Sequence, residues 1–154
     1  MDVSEVLVPE AVKVLTSVSS KKRLLQDIAD LAQSAYDLDA TQTVDALLER
    51  ESLGPTGVGH GVALPHCRLP GLEQVKGVFV LMEKPIDFGA IDRQAVDIAF
   101  ALFAPEDAGV DHLKALALVS RTLRDQTLCS KLRANHDAPT LYTILTEGRS
   151  VQAA

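Results

Sequence analysis

The chain predicts an α/β fold, a mixed central β-sheet flanked by helices in a single domain spanning residues 1–154, on three observations. Apolar residues recur at helical spacing near both ends of the chain. Short continuous apolar runs bounded by turn residues occupy the middle, as buried strands do. No repeat, low-complexity tract or long linker divides the sequence. With 154 residues, 47% of them hydrophobic, one core buries roughly 68–70% of the unfolded chain's surface and needs no staple.

Taken in order, the first helix is marked by Leu24, Leu25, Ile28, Leu31, Ala32 and Ala35, with Ser19 or Ser20 as its N-cap. Lys21, Lys22 and Arg23 then fall in the first turn, where the helix dipole favours acids. That is a local conflict. A second helix starts near Asp39, whose side chain caps while Gln42 completes a capping box. Val44, Leu47 and Leu48 form its buried stripe, and Gly54 stops it before Pro55. Gly57, Gly59 and Gly61 precede a short strand, Val62-Ala63-Leu64, that runs into Pro65-His66. Val75–Met82 and Val96–Phe103 read as buried strands joined by a loop from Pro85 to Gln94. Helix returns over Asp111–Arg124, with Leu113, Leu116, Ala117, Ser120 and Leu123 on one face. Two shorter helical segments follow near Gln126–Ala134 and Pro139–Glu147, and residues 148–154 are expected to fray. Strand order is left open.

Composition excludes several functions. Lys+Arg number 15 against Asp+Glu 21, a formal net charge of −6 that argues against non-specific nucleic-acid binding. The longest apolar stretch, Ile98–Ala104, is far short of the ~20 residues that cross a bilayer. The acidic start Met1-Asp2-Val3-Ser4-Glu5 is unlike a signal peptide, so the chain is expected to be cytoplasmic without membrane insertion. Cys67 and Cys129 form no C-x-x-C pair and are too few for a disulfide scaffold. His60, His66, Cys67 and His112 match no recognised zinc spacing, so neither metal nor cofactor is expected.

The chemistry concentrates between Arg50 and His66. Glycines at alternate positions let a backbone approach a ligand and present N–H groups to an anion, or simply form a turn. The spacing fits neither a dinucleotide fingerprint nor a P-loop. His66 follows a strand end and a proline, which fixes its angle. A neutral imidazole is a nucleophile near neutral pH and carries a phosphoryl group as a labile phosphoramidate. Such transfer asks for positioning and for donors around the equatorial oxygens. Candidate donors are Arg50, Thr56, His112 and loop amides, with Gly57, Gly59 and Gly61 forming the phosphate-binding loop. His112 is read either as such a donor or as a partly exposed surface histidine. His60 and His136 read as loop and turn residues. Phe79, Phe88, Phe100 and Phe103 read as core, whereas Asp87, Asp92 and Asp97 read as turn residues.

The stretch Arg50-Glu51 through Gly57-Val58-Gly59-x-Gly61-Val62-Ala63-Leu64-Pro65-His66 resembles the active-site segment of IIA proteins of the bacterial phosphotransferase system, fructose/mannitol class. Val75–Val80, Ala90-Ile91-Asp92-x-Gln94, Val96-Asp97 and Phe100-Ala101-Leu102 resemble its nitrogen-regulatory branch, and His112-Leu113-x-x-Leu116 its second histidine segment. The resemblance implies a phosphocarrier, a phosphotransferase with a phosphohistidine intermediate. His66 would accept the phosphoryl group from an HPr-type carrier, on either ring nitrogen. It also implies His112 as the second active-site histidine and Arg50 as the phosphate-stabilising arginine. Regulatory partners of the potassium-transport or sensor-kinase type follow from the same branch. The alternative within the family is a sugar-specific subunit feeding a separate permease. Two further readings are a binding module that no longer carries phosphate and a metal-dependent hydrolase. Pro55 stands where serine is frequent, Cys67 where glycine is, and His60 where a small polar residue is.

Overall fold

Side-chain caps set the first two helices. In the computed structural model, which describes residues 1–107 and 109–153 but no side chain from 148 onward, Ser20 Oγ accepts the Arg23 amide at 3.1 Å. Helix α1 runs from there, Lys21–Tyr36, burying Leu24, Leu25, Ile28, Ala29 and Ala32. Asp39 Oδ1 accepts the amides of Thr41 and Gln42 and opens α2, Ala40–Ser52. The cationic first turn of α1 is relieved by pairing: Arg23 meets Asp27 one turn on, at 2.9 Å, and Lys21 reaches across to α2.

The six-stranded sheet is built on two long antiparallel strands, β5 (Lys76–Ile86) and β6 (Val96–Pro105); with β1 (Val12–Leu15), β2 (Gly57–Gly59) and β3 (Val62–Ala63) the order is β1-β5-β6-β3-β2, and β4 (His66–Leu69) also pairs β6. Phe79 and Phe100 sit opposite each other with rings edge-on at 6.1 Å. Val78–Met82 and Ile98–Ala104 are buried without interruption, so both faces of the sheet are covered. Helix α1 packs on β5 and α2, and α2 on the β4 edge. Helix α3 (Val110–Arg124) packs on β6 and α5 (Ala138–Ala153) on β1, with α4 (Gln126–Arg133) between α3 and α5. The expected α/β architecture with a mixed sheet is what the chain adopts. The anticipated fraying of residues 148–154 falls outside the described side chains.

The outer edge of β6 carries an interrupted strand. Val62–Ala63 (β3) and His66–Leu69 (β4) both run parallel to β6, pairing Val62 with Ile98 and His66 with Leu102. The break falls at Leu64-Pro65. Leu64 turns its amide to Thr56 O (2.9 Å), while Pro65 O still accepts the Leu102 amide (2.9 Å). Gly57–Gly59 (β2) folds back antiparallel on β3.

Four differences from the sequence reading have physical reasons. Strand β4 resumes after Pro65 because proline removes one donor, not the register. Strand β1, Val12–Leu15, is added parallel to β5 from a segment too short to show a period, and the three-residue β2 is as cryptic. Strand β5 includes Pro85, expected in the loop; Pro85 is exposed beside a register shift between Leu81 and Ile86, where a missing donor is tolerated. Helix α3 is rotated. Its buried face is His112, Ala115, Leu118, Val119, Thr122 and Leu123, whereas Leu113, expected inside, is 66% exposed.

Candidate phosphoryl-acceptor site

His66 is the first residue of β4 and stands partly exposed at the point where the edge strand breaks. Its Nδ1 lies 2.9 Å from Leu64 O. A carbonyl only accepts, so Nδ1 carries the proton and donates. The proton on Nδ1 leaves the neutral ring's lone pair on Nε2, and there Arg50 Nε donates at 3.3 Å. The two contacts agree on one tautomer. Arg50 projects from the last turn of α2, and its Nη1 donates to Gly54 O at 2.9 Å, which anchors the guanidinium to the turn that ends the helix.

His112 closes the other side. The rotation of α3 turns it inward, 6% exposed, with its ring edge-on to His66 at 5.6 Å between centroids. Burial, then the electrostatic influence of neighbouring His66 and Arg68, holds its pKa below the usual histidine value. Its Nε2 is buried and has no hydrogen-bond partner among the described residues. Buried polar atoms are nearly always paired, and an exception calls for an explanation. Arg68, two residues beyond His66 on the same strand face, donates to Glu106 O at 2.8 Å.

The glycine-rich segment is a hairpin. Gly57 is packed so closely that a Cβ there would meet Ala90 Cβ at 2.7 Å. Gly61 takes φ +79° beside Arg133 and Asp97, and its carbonyl accepts the Asp97 and Ile98 amides. Gly59 also has positive φ and lies against Asp92. Close packing and turn geometry therefore account for all three glycines. Thr56 is buried, and both its amide (3.3 Å) and its hydroxyl donate to the Glu51 carboxylate.

The structure brings Arg50, His66 and His112 together and leaves the other histidines apart. His60 sits at the hairpin tip, its amide on Asp92 Oδ2 (2.9 Å) and its carbonyl accepting from Arg133 (2.8 Å). His136 pairs with Glu83 at 3.3 Å. Cys67 points to the buried face of β4, and burial pushes its thiol up to about 12. Asp97 lies within β6 and takes a bidentate contact from Arg133, so it is a strand residue and not the turn residue expected. Pro55 is exposed in the turn after α2. Among the described residues, no three His, Cys, Asp or Glu side chains group as a metal site requires. Sequence reasoning missed Lys21, Glu51 and Arg68. Only the misplaced cation at Lys21 signalled any of them.

Comparison with known proteins identifies the family. Residues 5–148 match the family model for the phosphoenolpyruvate-dependent sugar phosphotransferase system, EIIA 2. The chain is 46% identical over 145 residues to a nitrogen regulatory protein of Bradyrhizobium diazoefficiens, covering 94% of this chain and 95% of that one. It is 41% identical over 148 residues to a nitrogen regulatory protein of Escherichia coli, covering 96% and 91%. The crystal structure of the nitrogen regulatory protein IIA-Ntr from Neisseria meningitidis superimposes with a TM-score of 0.85 at 32% identity, covering 94% of this chain and 99% of that one. Among the described residues no helix is long and apolar enough to cross a membrane. With an Arg50–His66–His112 cluster on this fold and this degree of likeness, the chain belongs to the EIIA 2 family of the phosphotransferase system, among relatives named nitrogen regulatory proteins.

Proposed function

We propose that the protein is a cytoplasmic phosphocarrier of the nitrogen-regulatory phosphotransferase system, accepting a phosphoryl group on His66 Nε2 from a phospho-HPr-type protein. The observation that carries this reading is the pair of contacts on His66. Leu64 O holds the proton on Nδ1, which leaves Nε2 as the nucleophile. In transfer, the N–P bond of the donor phosphohistidine breaks as the bond from Nε2 to phosphorus forms. Nε2 then has no lone pair for Arg50, whose guanidinium turns to the phosphoryl oxygens, where its charge is of most use. The phosphorylated ring keeps its Nδ1 proton on Leu64 O. His112 supplies a buried ring whose unpartnered Nε2 would donate to the phosphoryl group.

Leu53 follows Arg50 by three residues, and Val110 and Leu113 flank His112 in the sequence; all three are exposed. Exposed apolar residues neighbouring the site residues in the chain suit a carrier that docks briefly and leaves. Regulatory partners of the potassium-transport or sensor-kinase type would read the change of charge at the same surface.

The test is intact mass after incubation with phosphoenolpyruvate, enzyme I and an HPr-type carrier. Wild type gains one acid-labile phosphoryl adduct and His66→Ala gains none. Equal labelling of both proteins overturns the reading.

A further inference from the structure

We propose that Glu51 is a positioning residue of the acceptor site, holding through Thr56 the two contacts that fix the His66 ring; the inference rests on His66 being the phosphoryl acceptor. The Glu51 side chain is only 5% exposed. A carboxylate withdrawn from water is costly unless charge and hydrogen bonds compensate it. Here three groups do: Lys21 Nζ at 2.7 Å, the Thr56 amide at 3.3 Å and the Thr56 hydroxyl. Lys21 itself stands in the first turn of α1, against the helix dipole, with its ammonium 4.4 Å from the centre of the Phe88 ring. A local rule broken on both sides of one contact is expected where function, and not stability, selects the residues.

From Thr56 two paths lead to His66. Thr56 O accepts the Leu64 amide at 2.9 Å, and Leu64 O accepts the proton of His66 Nδ1. In the other direction, the link between Glu51 and Thr56 closes the turn 51–56, which also holds the Gly54 amide on Glu51 O. Gly54 O is the anchor for Arg50 Nη1, and Arg50 Nε reaches His66 Nε2. The same carboxylate therefore governs the partner of each ring nitrogen. Releasing Thr56 loosens the Leu64 carbonyl and the Gly54 anchor together, and the ring loses its single tautomer. Glu51 touches neither phosphate nor imidazole. It acts through Thr56.

Thr56→Val, Thr56→Ser and Glu51→Gln test this with two readouts. The first is the steady-state rate of acceptance from the phosphorylated carrier. The second is the ring-nitrogen NMR shifts of unphosphorylated His66, which report its tautomer. Thr56→Val is expected to lower kcat about tenfold with KM changed by no more than about twofold. Its His66 shifts should move from one tautomer toward a mixture, and Thr56→Ser should restore both readouts. Glu51→Gln should change both in the same direction as Thr56→Val. Folded variants with wild-type kcat and wild-type ring shifts overturn the inference and leave Glu51 as a link between α1 and α2. A lowered rate with unchanged shifts also overturns it, because Thr56 would then be meeting the phosphate itself. If Glu51→Gln does not fold, the two Thr56 variants decide alone. Phosphorylation that survives His66→Ala sinks the acceptor reading instead, while the shifts still report on the brace.

Discussion

The two walls of the His66 site are built on opposite plans. On the α2 side the side chains that lead to His66 are partnered: Arg50 on Gly54 and His66, Glu51 on Lys21 and Thr56, Thr56 on Leu64, although Thr43 Oγ1, two turns earlier in α2, is buried without a partner among the described residues. On the α3 side His112 is buried with one ring nitrogen unpaired. The α2 wall supplies Arg50 to His66 Nε2 while Leu64 O takes the Nδ1 proton. The other wall carries a hydrogen-bonding group, His112 Nε2, with no partner among the described residues. Pairing His112 Nε2 would add stability, and under the proposed function the phosphoryl group would supply that partner.

The largest effect should come from the satisfied wall. Arg50→Lys keeps the charge but cannot hold Gly54 O and Nε2 at once. Phosphoryl acceptance should fall about 10²-fold, the cost of one lost preorganised donor, with the melting temperature little changed. A rate near wild type would mean that charge, and not the guanidinium fork, is what the wall supplies.

Disrupting the other wall should cost less catalytically and nothing structurally. His112→Leu replaces an unpaired polar ring with an apolar side chain, so thermal stability should hold or rise by up to about 1 kcal/mol, while transfer slows about tenfold. A clear loss of stability with unchanged transfer would make His112 an ordinary core residue. The same histidine sets a pH dependence. Its pKa in the folded protein is depressed from 6.5, so the unfolded chain takes up the proton first as pH falls. Stability is fully present above 6.5 and declines below it, through the depressed value. Urea titrations at several pH values should show this decline in wild type and a shallower one in His112→Leu. Identical slopes would show that His112 is not held neutral. Smallest of all is Cys67, next to His66 in sequence but behind the strand. With its thiol pushed up to about 12, it should resist iodoacetamide at neutral pH until the protein is unfolded. Rapid native alkylation that also blocks transfer would place its sulfur in the site after all.

Much of the fold was legible because its signals are local. The caps Ser20 and Asp39, the stripe from Leu24 to Ala32 and the apolar runs of β5 and β6 each announce themselves within a few residues. His66 was legible for the same reason, standing directly after a strand end and a proline. The phase of α3 was not. Val110, Leu113, Ala115, Leu116, Leu118 and Val119 spread apolar side chains around most of the helix, so periodicity names no single face. Packing on β6 chose the face, and that choice turned His112 inward and left Leu113 exposed.

The sequence by itself determined the layered α/β class, the two caps and the histidine at the strand break, because each depends on neighbours in the chain. Only the tertiary structure decided which nitrogen of His66 carries the proton and that Lys21, Glu51 and Thr56 meet. Leu64 O, Arg50 Nε and the Lys21 ammonium act on residues brought near by folding, and a hydrogen bond depends on distances of tenths of an ångström that no local pattern encodes.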